Sequence, residues 1–249
     1  MSIRMKNLVL FMTLTMISSR LLLEVNALAT LPPLTPYSDP IALLDTHYFS
    51  ATSNWLIPGH IMQGRHPGSG RGSATERVRA IVQDAGCTTF VCLQAECPPP
   101  DGSCTSFGGS NEWKTNPMPG FTSYVQDARQ AAAESSGSKP EPKFVHFGIR
   151  DMNTAESLEE LTSFVNHLKE RVLHDDEVLY CHCWGGKGRA GLILACLLGA
   201  LYADMTADEA LERVQTYCSL RNRGIGTQLK SPETDAQKEQ VREYYALRS

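Results

Sequence analysis

Three short apolar runs mark the chain: Thr88-Thr89-Phe90-Val91-Cys92-Leu93, Phe144-Val145-His146-Phe147-Gly148-Ile149 and Val178-Leu179-Tyr180-Cys181-His182. Each is rich in β-branched or aromatic residues and bounded by polar segments, the pattern of a buried strand. Trp55 to Arg65, interrupted by Pro58-Gly59, predicts a further strand pair around a tight turn. Helical spacings lie between and after these runs. Thr75 is placed to cap a helix with Val78, Ile81 and Val82 on one face, ended by Gly86. Tyr124, Val125, Ala128 and Ala132 recur at helical spacing over residues 121–133. Ser157 and Glu160 read as a capping box, followed by a face of Leu158, Leu161, Val165, Leu168 and Val172.

Ala190 to Leu201 is apolar all round, which predicts a buried helix rather than an amphipathic one. The run is too short to cross a bilayer. Thr206 with Glu209 opens another helix carrying Ala210, Leu211, Val214 and Cys218, which Arg221-Asn222-Arg223-Gly224 ends. A last helix is expected from Ser231-Pro232-Glu233, with proline in the first helical position, through Tyr244. Cys97 to Gly120 carries Pro98-Pro99-Pro100, Gly109 and Asn116-Pro117 and reads as a long irregular loop. It follows a strand end and is expected to wall a pocket. Cys97 and Cys104 are close enough in sequence to allow a small disulfide under oxidising conditions.

Both ends of the pattern bear on organisation. Residues 1–29 combine Arg4 and Lys6 with an apolar stretch from Leu8 to Ile17 and Ala27-Leu28-Ala29, the features of a targeting segment. Arg20 and Glu24 interrupt it, so the expected destination is the secretory pathway or an organelle, plastid or mitochondrion, with no permanent membrane anchor. Proline-spaced residues 30–54 read as a linker, and the folded domain as residues 55–249. Among the 249 residues, 42% are hydrophobic and 20% charged, the composition of a globular chain. The net charge of -4 argues against a nucleic-acid partner, and any positive potential has to be local.

The chemistry concentrates between the last strand and the buried helix, in Cys181-His182-Cys183-Trp184-Gly185-Gly186-Lys187-Gly188-Arg189-Ala190-Gly191. A glycine-rich turn from strand to helix aims backbone N–H groups and a helix N-terminus at an anion. Cys183 stands at the strand end, where those amides, the helix dipole and Arg189 favour a thiolate nucleophile. Arg189 offers a planar fork for two phosphate oxygens. Nucleophile, cation and wrapped backbone together suit phosphoryl transfer through a cysteinyl-phosphate.

His182-Cys183, five residues and then Arg189 resemble the signature loop of the cysteine-dependent protein tyrosine phosphatase superfamily. The start His182-Cys183-Trp184-Gly185-Gly186 resembles compact bacterial, algal and plant members of its dual-specificity-like branch. The resemblance implies an α/β fold with a central, mostly parallel sheet and helices on both faces. It also implies that Cys183 attacks phosphorus, Arg189 holds the phosphate and His182 tunes the thiolate. Trp184, Gly185, Gly186, Lys187, Gly188 and Arg189 would then form the phosphate-binding loop. The family's usual Ser or Thr after the arginine is replaced by Ala190, which predicts slow release of the phosphate from cysteine.

A leaving group needs a proton, and Asp151 is placed to supply it. It follows the strand 144–149 at its C-terminal end, on the edge where Cys183 lies if the strands are parallel. Gly148-Ile149-Arg150-Asp151 resembles the family's acid loop. Asp101 is the rival, whereas Asp175, Asp176 and Glu177 precede their strand and fall on the opposite edge. Arg65 and His66 read as solvated loop residues with a lesser chance of touching substrate, and Gln237 as a helix-surface residue that in the family approaches the loop. No cofactor or metal is expected, since Cys181, His182 and Cys183 are too crowded for separate ligands. Cys181 packs in the core or pairs with Cys183 on oxidation.

The expected activity is hydrolysis of phosphomonoesters, of phosphotyrosine or phosphoserine/threonine in proteins or of a small phosphomonoester. Lys187 adds a charge beyond the needs of one phosphate, and a similar lysine occurs in phosphoinositide phosphatases, so an inositol-phosphate substrate is the enzymatic alternative. A phosphate-binding pseudophosphatase, tolerant of Ala190, and a sulfurtransferase with Cys183 as sulfur carrier are readings from other classes.

Overall fold

The computed structural model describes residues 31–36, 40–69, 73–115, 120–135, 137, 139–222 and 229–248. The expected targeting segment 1–29 lies outside the described residues, as do Asn116, Pro117, Pro119, Arg223 and Gly224. In chain order the elements are α1 (Pro40–His47), β1 (Tyr48–Ser50), β2 (Ser53–Ile57), β3 (Ile61–Arg65), α2 (Ala74–Arg79) and β4 (Thr89–Gln94). There follow β5 (Thr105–Gly109), α3 (Val125–Ala133), β6 (Lys143–Ile149) and α4 (Leu158–Leu173). The last are β7 (Leu179–Cys183), α5 (Gly188–Leu201), α6 (Ala207–Ser219) and α7 (Asp235–Ala246).

The strands form one sheet in the order β1-β2-β3-β7-β4-β6-β5. From β3 to β5 every neighbouring pair is parallel, and only the β1-β2-β3 end is antiparallel. The expected mostly parallel α/β sheet with helices on both faces is therefore the observed one. Successive side chains of a strand point to opposite faces. In β7 that alternation sends Leu179, Cys181 and Cys183 into the core formed with α4, α5, α6 and α7. Tyr180 enters the second core, against Val78, Phe90, Val125 and Ala128 from the α2 and α3 side.

The core explains α5. Every residue from Gly188 to Gly199 is buried, with the sheet below and α4, α6 and α7 around it. Leu192, Ile193, Leu194, Leu197 and Leu198 are fully enclosed. Each such side chain contributes about 1.5–3 kcal/mol. The helix that carries Arg189 is thus anchored along its whole length.

Several local expectations change. The segment expected as a linker holds α1, β1 and the start of β2, and Leu43 is buried in the main core with Leu31 and Leu34 packed against it. Tyr202 Oη donates to Pro32 O at 2.9 Å and Arg213 Nη1 to Thr35 O at 3.0 Å, so this arm is tied across α5 and α6. Prolines set the composition of the stretch, but its leucines set its fate. Ser73, not Thr75, caps α2, accepting from Glu76 N, and Thr75 Oγ1 donates to Asp127 instead. The helix continues as a π-helical stretch over Ala80–Asp84. The last helix begins at Asp235, because Thr234 and Gln237 make the capping box and Ser231-Pro232 lies outside it. The loop after β4 contains the edge strand β5 and a short 3-10 turn at Glu112–Lys114. Cys97 and Cys104 are free thiols. Among the described residues no helix is long and apolar enough to cross a membrane.

The N-terminal end of β7 is held by charge. Glu177, just before the strand, meets Arg171 at 2.8 Å, Lys143 at 2.5 Å and Thr89 Oγ1 at 2.6 Å. Burial pushes the Glu177 carboxyl up, but the hydrogen bonds from Lys143, Thr89 and Arg171 and the Arg171 charge outweigh it and hold it below its ordinary 4.5. A depressed folded-state value gives stability that is present above the ordinary value and lost as pH falls through the depressed one. Glu177→Gln is expected to cost about 3 kcal/mol at neutral pH, read as a lower urea midpoint. The difference from wild type should shrink as pH falls below the carboxylate range. An unchanged midpoint at pH 7 would mean that the cluster contributes no stability.

Candidate functional site

Cys183 is the last residue of β7 and only 3% exposed, at the C-terminal edge of the parallel strands. Trp184 to Lys187 form the turn, and Gly188 begins α5. Gly186 has φ +66°, and a Cβ there would overlap the Gly64 carbonyl of β3. Only glycine combines that conformation with that approach. At Gly188 a Cβ would lie 2.8 Å from a Glu233 carboxylate oxygen and 3.1 Å from the Gln237 amide.

Four consecutive carbonyls of the turn are held from outside. Trp184 O accepts from His66 N at 3.1 Å, and Gly185 O from Arg221 Nη1 at 3.2 Å. Gly186 O accepts from Gln63 Nε2 at 3.0 Å, and Lys187 O from Ser231 Oγ at 2.9 Å. Gln63 Nε2 also donates to Ser231 Oγ at 2.8 Å, linking β3 to the segment before α7. A trans peptide sets N–H opposite C=O. The amides following these carbonyls, at Gly185, Gly186 and Lys187, are therefore turned away from the anchors, as an anion cradle requires.

Arg189 lies in the first turn of α5 and is 1% exposed. Its Nη1 and Nη2 meet Glu96 Oε2 and Oε1 at 2.6 and 2.9 Å, a two-pronged pair, and Nη1 also donates to Ile149 O at 3.1 Å. Nη2 further meets Asp151 Oδ1 at 2.9 Å. Burial opposes the guanidinium charge, but Cys183, Glu96 and Asp151 outweigh it and strengthen the hold on the proton. Burial likewise pushes the Glu96 carboxyl up, and the hydrogen bonds and charge of Arg189 bring it below its ordinary value. The pair is a fixed ionic unit under the loop.

Asp151 sits where the strand reading placed it, just after β6 on the edge shared with Cys183, and its side chain is 45% exposed. Met152 adopts φ +61° and Asn153 N donates to Arg150 O at 3.1 Å, closing a tight turn around it. Gln237 is fully buried, not on a helix surface. Its Nε2 donates to Asn153 O at 2.9 Å, so α7 ties the Asp151 turn to the Gly188 end of the turn after β7. The rival Asp101 is engaged with Arg129 at 2.6 Å and accepts from Ser103, away from the cavity. Glu177 lies on the opposite edge, as its place before β7 implied.

His182 faces the other side of the sheet. Its Nε2 is 2.7 Å from Tyr124 Oη, and its ring meets that of His66 edge-on at 5.2 Å. Burial, then the neighbouring His66, hold the imidazole neutral well below its ordinary value. His66 is itself buried and is pushed down by burial to about 4, so the solvated-loop reading fails for it. Arg65, Asp151, Met152, Trp184, Gly185, Lys187, Arg221 and Glu233 line a cavity of about 390 Å³. Trp184 is 42% exposed and forms its rim, with its ring edge-on to Phe121 at 5.9 Å. Lys187 pairs with Glu233 at 2.6 Å. Cys97 to Pro100 line a separate, smaller cavity with Phe121 to Val125, so the expected pocket wall stands elsewhere. Cys181 is fully enclosed, and burial pushes its thiol up. Among the described residues no cluster of His, Cys, Asp and Glu is arranged for a metal ion.

Glu96, Gln63, Ser231, Arg221 and Tyr124 did not emerge from motif spacing. A weak signal existed in Gln63 and Glu96, polar residues within or just after otherwise apolar strands.

Residues 124–241, a little under half of the chain, match the model of the Swiss Army Knife protein DSP-PTPase phosphatase domain. Protein 067L of Invertebrate iridescent virus 3, named as a candidate tyrosine phosphatase, is 30% identical over 42% of this chain and 45% of its own. Protein 197R of Invertebrate iridescent virus 6, similarly named, is 34% identical over 38% of this chain and 31% of its own. The matched part thus spans less than half the length of either relative. Among solved structures, PTPMT1 in complex with PI(5)P shares the fold at TM-score 0.50 and 12% identity, over 79% of this chain and 96% of that one. The matched stretch carries the His182-Cys183 to Arg189 loop at the junction of β7 and α5, and over that stretch the chain is similar to the DSP-PTPase phosphatase domain.

Proposed function

We propose that this protein is a phosphatase that hydrolyses phosphomonoesters through a cysteinyl-phosphate on Cys183. The observation that carries the reading is the meeting of three groups from three elements. Cys183 ends β7, Arg189 opens α5, and Asp151, from the turn after β6, touches Arg189 at 2.9 Å. In this reading the phosphate enters the loop and takes the Arg189 edge now held by Asp151. Cys183 sulfur attacks phosphorus as the ester oxygen departs, and Asp151 gives that oxygen its proton. Water then attacks phosphorus, Asp151 accepts the water's proton, and the thiolate leaves. Glu96 holds the guanidinium in one orientation through both steps, so stabilising the transition state requires no reorganisation. His182, locked to Tyr124, positions the Cys183 backbone from behind.

Phosphorylated residues of proteins are the expected substrates. Lys187, a loop residue on the cavity wall, favours inositol phosphates as a second reading.

The decisive test is a rapid-mix assay of the full chain with p-nitrophenyl phosphate. A burst of nitrophenol is expected that Cys183→Ser abolishes. Asp151→Asn should lower kcat/KM on phosphoserine by about 10²–10⁴, and much less on nitrophenyl phosphate, whose leaving group scarcely needs a proton. Absence of a burst above the serine variant, with phosphopeptide still bound, would instead establish a pseudophosphatase. A persulfide on Cys183 without phosphoenzyme would establish a sulfurtransferase.

Ala190 is fully buried in the first turn of α5, so the smallest hydroxyl is the one to restore. Ala190→Ser is expected to speed the slow phase after the burst by about tenfold, the worth of one hydrogen bond to a charged sulfur. The burst amplitude should stay the same. An unchanged slow phase would mean that phosphate release from cysteine does not limit turnover.

A further inference from the structure

Arg189 and the loop amides suffice for one phosphate, yet three more cations stand around the same turn. Arg65 follows Gly64, against which Gly186 packs so closely that a Cβ on Gly186 would lie 2.6 Å from Arg65 N. The Lys187 stem reaches 3.1 Å from where a Cβ on Gly185 would stand. Arg221 Nη1 donates to Gly185 O at 3.2 Å. All three line the cavity of about 390 Å³.

Two of these cations have neutral partners. Arg65 Nε donates to Ser69 Oγ at 3.2 Å, and Arg221 Nε to Asn54 Oδ1 at 2.7 Å. Among the described residues Lys187 alone of the three has a carboxylate, Glu233. Arg221 is 3% exposed, and its Nη2 is buried without an acceptor among the described residues. A buried guanidinium N–H left unpaired is costly, and its planar fork suits an oxyanion. The orphaned donor, in a wall that already carries Arg65 and Lys187, is the mark of an anion subsite beside the catalytic one.

We infer that the cavity takes a second phosphate of the substrate on the Arg221, Arg65 and Lys187 side of the loop. The substrate class is then a small polyphosphorylated molecule with phosphates on neighbouring carbons. This inference rests on the phosphatase reading above and sharpens it. All three cations adjoin Gly185 or Gly186, inside the turn that would hold the reacting phosphate, so the two anions must sit close together. Adjacent phosphates on one ring meet that spacing without ordering a chain. In an extended peptide neighbouring side chains point to opposite faces, which separates two phosphoresidues too widely. Met152 and Trp184, both exposed at the rim, offer apolar flanks to the ring carbons. Glu233 is the resident competitor: it pairs with Lys187 and accepts from Gly188 N at 3.1 Å, and the second phosphate draws Lys187 away from it.

The test is calorimetric binding to full-length Cys183→Ser, which cannot turn over, with inositol monophosphate and an inositol bisphosphate bearing adjacent phosphates. The bisphosphate is expected to bind about tenfold to hundredfold more tightly. Added Arg221→Met should erase most of that ratio, and Arg65→Gln part of it. Glu233→Gln should raise it. Because the ratio of two affinities is read, a general loosening of the loop that weakens both ligands alike does not imitate the effect. Equal affinities for the two ligands in the parent protein, or a ratio unmoved by both arginine variants, would overturn the proposal. A doubly phosphorylated peptide that binds more tightly than the bisphosphate would overturn it in favour of a protein substrate. Vesicles of phosphatidylcholine containing phosphatidylinositol bisphosphate separate the sources: tighter binding than to the soluble ligand supports a lipid headgroup, equal binding a free polyol phosphate. A missing nitrophenol burst removes the phosphatase reading, whereas a missing ratio beside an intact burst removes only the second site.

Discussion

The pairing of Arg189 with Glu96 is the constraint to which the rest of the site conforms. Both side chains are nearly inaccessible, and removing either would leave the other buried and short of its two-pronged partner, a loss of about 3–5 kcal/mol. Satisfying it requires the end of β4, the end of β6 and the start of α5 to meet at one point, since Ile149 O is the next acceptor on Nη1. The strand order β7-β4-β6 provides that meeting, and the parallel direction of all three puts their C-terminal ends on one edge. Asp151 then arrives beside Arg189 simply by following Ile149.

The loop geometry follows from a second constraint, the satisfaction of buried backbone carbonyls. Turning four successive carbonyls outward would be unfavourable in a solvent-free setting unless each found a donor. His66, Arg221, Gln63 and Ser231 are those donors, contributed by three separate stretches of chain. They hold the turn open before any ligand arrives, and pre-organisation of this kind is where most electrostatic catalysis resides. Gln237 extends the same framework to the Asp151 turn. The Asp151 turn, the Trp184–Lys187 turn and the last helix are thus tied to one another.

A chain of net charge -4 draws anions only through local fields. Arg65, Lys187 and Arg221 concentrate positive charge on one cavity, while Glu233 and Asp151 hold part of it in check. Both carboxylates are partners of cations that a phosphate would also seek. Lys187 and Arg189 are thus offset by carboxylates, whereas Arg65 and Arg221 meet neutral groups.

That Cys183, Arg189 and Asp151 share one sheet edge could be read directly from the chain because their signals are local. Five residues across a strand-to-helix turn, or one polar turn after an apolar strand, are patterns of neighbours. The sheet class, the buried α5 and the caps at Ser157 and Thr206 were legible for the same reason. Residues 30–54 were misread because proline spacing is local, whereas the burial of Leu43 depends on helices far along the chain. Thr75 and Ser231 competed with better caps two or three residues away, a choice that packing settles. Glu96 meets Arg189 across 93 residues, and Gln63 meets Gly186 across 123 and Ser231 across 168. No spacing rule reaches so far. The chain's own order therefore specified the candidate site residues and their immediate turn, while the partners that orient them, neutralise them and leave Arg221 with an idle donor came from strand order and helix packing. Those contacts exist only once buried charge and buried carbonyls must each be satisfied in the same small volume.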